Sequence, residues 1–177
     1  MGQDRELDAL IEDENVIAHL FVAADRLARA RTPREALDIA VEILHNLAGV
    51  HRYAVWLRAS HQAEAHVVAP ADPRFRTASS PDDPLVARAL AASPPAELGD
   101  ALPLACSLFL DGDAVGAIEI RELVPQVGAL GRLQLDLLVF LSERLAPAMV
   151  AAGHLAARDS ASAWAEVAAA IEQGRNA

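Results

Sequence analysis

Through residues 5–30, Leu7, Leu10, Ile11, Ile17, Leu20, Phe21, Ala24 and Leu27 recur at three- and four-residue spacing, which predicts one helix. Asp13 and Glu14 interrupt this stripe, so the first turns are expected to project from the domain. Thr32-Pro33-Arg34-Glu35 then marks a second start. Thr32 can cap, Pro33 suits the first helical position, and Glu35 can reach back as a capping box. That helix is expected to run to about Leu47, with Leu37, Val41, Leu44 and Leu47 on one side, and to stop at Ala48-Gly49.

The period then changes to two. From His51 to Ala59, Tyr53, Val55 and Leu57 alternate with Arg52, Ala54, Trp56 and Arg58, which predicts a strand. Ser60-His61-Gln62 is a turn, and Glu64 to Ala69 is a returning strand. Residues 70–84 hold Pro70, Pro73, Pro81 and Pro84 and read as loop. Asp83 caps a short helix expected to end near Ala92, before Ser93-Pro94-Pro95. Leu102 to Leu110 and Ala114 to Glu122 form a second hairpin around Asp111-Gly112. A long helix is expected from Pro125 or Val127 to Ala152, kinked or re-initiated at Pro147. From Gly153 to Ala177 the chain is Ala-rich and helix-prone, with Trp164 its one sizeable anchor.

Composition narrows the chemistry. Apolar residues make up 53% of the 177 positions and aromatics 4%, so the core must be aliphatic. All 15 basic residues are Arg, and 25 acidic residues bring the net charge to −10, which argues against nucleic-acid or anionic-membrane binding. Six acidic residues crowd positions 1–14 against Arg5 alone. They read either as a solvated helix face or as an acidic docking segment. The opening residues have no signal-peptide core, and no apolar run reaches the roughly 20 residues of a membrane span, so a cytoplasmic protein is expected.

Several stretches together resemble a GAF domain, a small sensory module of bacterial signalling proteins and phosphodiesterases. The helix ending Ala40-Val41-Glu42-Ile43-Leu44-His45-Asn46-Leu47 enters His51-Arg52-Tyr53-Ala54-Val55-Trp56-Leu57 through Gly49-Val50. Pro84 to Leu90 is similar to that family's short middle helix. Leu102 to Ile120 supplies a strand, the turn Asp111-Gly112, and a strand carrying Val115-Gly116. The helix from Leu137 to Ala152 closes the match, which spans roughly residues 15–152. The expected fold is therefore α+β: a GAF-like antiparallel β-sheet with N- and C-terminal helices packed on one face. Residues 1–14 would be an acidic helical extension, and residues 153–177 an Ala-rich helical or mobile tail.

The resemblance also frames the candidate chemistry. Relatives that bind ligands do so on the other sheet face, under the middle loop. Here His66, Val68, Phe75, Leu85 and Phe109 are the candidate ligand-binding residues beneath residues 70–100, with Leu90 beside them. Being mostly apolar, they read either as a small-molecule site or as collapsed core. Cys106 is the single cysteine and cannot recycle through an intrachain disulfide, as methionine-sulfoxide-reducing members require. It reads as a buried small hydrophobe or as a reactive thiol. With no Lys, the family's cyclic-nucleotide pattern is absent, and a phosphate would fall to Arg74, Arg76, Arg88 or backbone amides. His66 is the one candidate haem ligand among His19, His45, His51, His61, His66 and His154. Asp82-Asp83 and Asp111/Asp113 read as cap and turn residues without a nearby base, and no phosphate-loop pattern occurs. No catalytic residues, metal or cofactor are expected. The expected function is a non-enzymatic signalling or protein-interaction module acting as a homodimer, with Leu10, Ile17, Leu20, Leu137, Leu141 and Leu145 at the interface. The alternative is a small-molecule sensor that binds an effector under residues 70–100.

Overall fold

A computed structural model describes residues 2–60, 63–94, 98–99, 101–153 and 160–175, with side chains between Glu14 and Gly174. The order is α1 (Gly2–Ala28), α2 (Pro33–Glu42), β1 (Val50–Leu57), β2 (His66–Ala69), α3 (Pro84–Leu90), β3 (Leu104–Leu110), β4 (Asp113–Leu123), α4 (Arg132–Ala152) and α5 (Ser160–Arg175). The class is α+β. The four strands lie in the order β2-β1-β4-β3, every neighbouring pair antiparallel.

The start of α2 follows the sequence signal. Thr32 Oγ1 accepts from the Glu35 N–H at 3.1 Å, with Pro33 in the first turn. The Glu35 carboxylate reaches one residue further than a capping box requires, accepting from the Arg31 N–H at 2.8 Å. After Glu42 the chain widens into a π-helical turn, Ile43–Leu47, which ends at the Ala48 N–H bond to the Ile43 carbonyl. At the β3–β4 hairpin, Asp111 and Gly112 both take positive φ (51° and 91°), the pairing a two-residue type I′ turn demands.

Two helix bounds and an expected kink differ from the sequence expectation. α3 ends at Leu90 rather than near Ala92, and Arg58 Nη2 binds the Leu90 carbonyl at 2.6 Å. α4 begins only at Arg132, where Gln134 Oε1 accepts from the Gly131 N–H at 3.0 Å. The preceding segment is held instead by the Val124 N–H on the Gly49 carbonyl (2.8 Å) and by a turn at Val127. α4 then runs unbroken through Pro147. Both Pro147 and Glu143, the residue whose carbonyl loses its intrahelical partner, lie on the exposed side.

Strand alternation sorts the sheet into two unlike faces. On one, Tyr53, Ile120 and Leu104 align across β1, β4 and β3, with Val55, Ile118 and Cys106 in the next row. α4 lies against this face with Leu137, Leu138, Leu141, Leu145 and Met149 fully buried, while α2 adds Leu37 and Ala40. α1 contributes Ala23 and Leu27. The C-terminal helix belongs to the same core: Trp164, Val167 and Ile171 of α5 are buried in it, and Trp164 Nε1 donates to the Arg58 carbonyl at 2.8 Å. From Ser160 on, the expected tail is therefore packed structure, while residues 154–159 lie outside the described residues. At the edge strand β3, Ser142 of α4 donates its buried hydroxyl to the Ser107 carbonyl at 2.5 Å.

No helix among the described residues is long and apolar enough to cross a membrane.

Candidate functional site

The second face is the one the resemblance assigns to ligands, and apart from Trp56 and Glu119 its rows carry small side chains. Ala54, Glu119 and Ala105 form one row; Trp56, Ala117 and Ser107 form the next. Next to this row Gly116, on the helix side, lets the strands close up, since a Cβ on it would lie 2.4 Å from the Trp56 carbonyl and against Leu57 and Leu108. Rows of alanine would leave a trough. α3 sits in it instead, and Val86, Ala89 and Leu90 pack with Ala54, Trp56 and Ala117 in a separate small core. The Ser107 hydroxyl donates to the Ala89 carbonyl at 2.7 Å, fixing the helix to β3. Among the described residues, Trp56 Nε1 is buried without a hydrogen-bond partner.

A charged cluster closes the other end of this face. Glu119 is fully buried in mid-strand. Thr77 Oγ1 (2.8 Å) and Ser79 Oγ (2.5 Å) donate to its two oxygens, and Arg121 Nε approaches at 2.6 Å. Arg121 Nη2 continues to Ser79 Oγ (3.0 Å) and to Asp83 Oδ2 (2.8 Å). Asp83 meanwhile caps α3 through the Leu85 N–H, and that backbone bond, helped by Arg121, holds its carboxyl below the usual carboxylate range. The strap before α3 is also tied by its backbone: the Tyr53 N–H donates to the Phe75 carbonyl (3.0 Å) and the Thr77 N–H to the Tyr53 carbonyl (3.1 Å). A buried carboxyl group is costly unless its oxygens are hydrogen-bonded, and here both are engaged.

The five expected ligand residues do not converge. β2 turns His66 and Val68 toward α5, on the helix side of the sheet, and Val67 toward the lid. His66 Nε2 lies 3.8 Å from Glu172, and the pair borders a 180 Å³ crevice with Ala168. Phe75 packs edge-on against the rings of His45 and His51 at 5.3 and 5.5 Å. His45 also meets Tyr53 at 5.1 Å, and burial pushes its pKa down. Leu85 is half-buried on α3, and Phe109 is buried on β3. An open cleft of about 640 Å³ does lie at the outer side of α3, among Arg88, Ala92, Leu98, Pro103 and Ala105, but none of the five lines it.

Comparison with protein-family models, curated proteins and solved structures gave no match to the chain.

Other candidates take definite places. Cys106 is buried on the Leu-bearing face of β3, where burial raises its thiol pKa to about 12. Arg74 is bound to Asp72 at 2.5 Å on the surface and Arg76 to the Pro70 carbonyl at 2.6 Å. Leu137, Leu141 and Leu145, expected at a dimer interface, are fully buried in the chain's own core; the stripe they form faces β3 and α2, so a second copy cannot reach it in this fold. Leu20 is half-buried against the same core, and the Leu10 side chain lies outside the described residues. Ile17 is 66% exposed, beside Phe21 at 73% and Val22 at 47%. Sequence reading passed over the Glu119 cluster. Its signal was a carboxylate between Ile118 and Ile120, at a position where both neighbouring strands place alanine.

Proposed function

We propose that the chain is a non-enzymatic, GAF-like signalling module that works as a homodimer through the outer stripe of α1. The observation that carries this reading is the exposure of Ile17, Phe21 and Val22 on a helix whose opposite side is already spent on the core. Exposed Ala24 and Ala28 extend the stripe and leave room for a second helix to approach. Contiguous apolar surface of this kind marks association. The filling of the lid face by Trp56, Val86 and Leu90 favours this reading over an effector bound under residues 70–100.

Sedimentation or light scattering across a concentration series tests it. The native chain is expected as a dimer, and Phe21→Glu as a folded monomer whose melting temperature no longer depends on concentration, since Phe21 makes little contact with its own core. A native chain that stays monomeric throughout refutes the reading.

A further inference from the structure

We propose that the cleft between the start of α2 and α5, on the helix side of the sheet, binds a small amphipathic monocarboxylate: one carboxylate carried on a short apolar chain. The cleft measures about 460 Å³, within the usual size of small-molecule sites. Val68 and Ile171, both nearly fully buried, form its apolar wall, and Ala71, Ala170 and Gly174 keep it open by being small. Among the described residues its charged lining consists of two guanidiniums, Arg34 and Arg76, with no acidic residue.

That pairing runs against the chain's balance of charge. A protein of net −10 has here set two cations beside an apolar wall; Arg34 has its partner carboxylate, Asp38, outside the described lining, and Arg76 is bound to a carbonyl. Both are held in place from outside the cleft. Arg34 Nε donates to Asp38 at 3.0 Å, and Arg76 donates through Nε (3.1 Å) and Nη2 (2.6 Å) to the Pro70 carbonyl. Each guanidinium carries five N–H groups, so these bonds orient the fork without exhausting it. Arginine forks match a carboxylate in two-pronged fashion. The surrounding negative charge favours a singly charged guest over a doubly charged phosphate. The apolar wall accounts for a hydrocarbon portion, worth about 0.8 kcal/mol per buried methylene.

Arg76 also lies next to Thr77 in the strap that pins Glu119. A guest held by Arg76 therefore touches the segment that closes the lid on the opposite face.

Calorimetric titration of the full chain with octanoate, and with octan-1-ol as the uncharged control, tests the proposal. Octanoate is expected to bind saturably, and octanol at least about tenfold more weakly. Arg34→Gln should weaken octanoate about tenfold, because its loss removes one arm of the fork but only an exposed ion pair from the fold. Gly174→Leu should abolish binding while the protein stays folded, since a Cβ at Gly174 meets open space. No saturable octanoate binding, equal binding of octanol, or undiminished binding by Gly174→Leu would each overturn the assignment. None of these outcomes depends on the oligomeric state.

Discussion

The two faces of one sheet are held down by different physics. On the helix side, rows of Tyr53, Val55, Ile118, Ile120, Leu104 and Cys106 interlock with leucines of α4, and stability comes from close-packed aliphatic volume. On the lid side the same strands offer Ala54, Ala105 and Ala117, which bury little, and the cover is secured by directed bonds at Glu119, Ser107 and Arg58. Burial area tolerates small shifts; a set of directed bonds does not. The helix side should therefore respond to lost volume, and the lid side to a lost partner.

The largest effect is expected on the helix side. Leu141→Ala should cost about 3–5 kcal/mol in denaturant unfolding, because Leu141 is fully buried and the rigid sheet beneath cannot collapse into the gap. A cost below about 1 kcal/mol would mean the face is loosely packed. Next comes Glu119→Ala, at about 1–3 kcal/mol, since it strands Thr77, Ser79 and part of the Arg121 fork. Here the distribution matters more than the size. Amide exchange should accelerate in residues 75–79 and α3, while alkylation of Cys106, with its thiol pKa near 12, stays as slow as in the native chain. Fast Cys106 labelling in this variant would show that the two faces open together.

The smallest effect is a matter of pH. Burial holds the His45 pKa in the fold below its ordinary 6.5, with His51 nearby adding repulsion. The unfolded chain therefore takes up that proton first as pH falls, so stability should decline on acidification from about 6.5 downward. His45→Gln should flatten that slope. An unchanged slope would assign the acid sensitivity elsewhere.

How far the chain could be read follows the same division. Strand pairing, the Thr32 and Asp83 caps and the Asp111-Gly112 turn rest on local rules, and they appear where the local pattern places them. The sorting of Tyr53, Val55 and Leu57 from Ala54 and Trp56 follows from period two alone. The origin of α4 escaped because Val124 bonds to Gly49, a partner far away in the chain. The Glu119 cluster escaped for the same reason, since Thr77 and Ser79 reach it from another segment. Leu137, Leu141 and Leu145 show the limit of an amphipathic stripe. The pattern states that they are covered, and only the packed chain shows that the sheet, and not a second copy, covers them. His66 pairs with Leu57, a residue of the helix-side row, so it ends on the side of α5; that register is set by the other strand and not by β2's own pattern.

The Ser142 hydroxyl on the Ser107 carbonyl bears on how this protein meets its neighbours. An open sheet invites recruitment of a foreign strand at its rim, the route by which many β proteins polymerise. Here α4 lies along β3 and a serine occupies an acceptor on that rim, at a position where leucine would have filled the same helix surface. The chain is thus steered away from growth by strand addition at this border, and an approaching strand meets a rim whose acceptor is already taken.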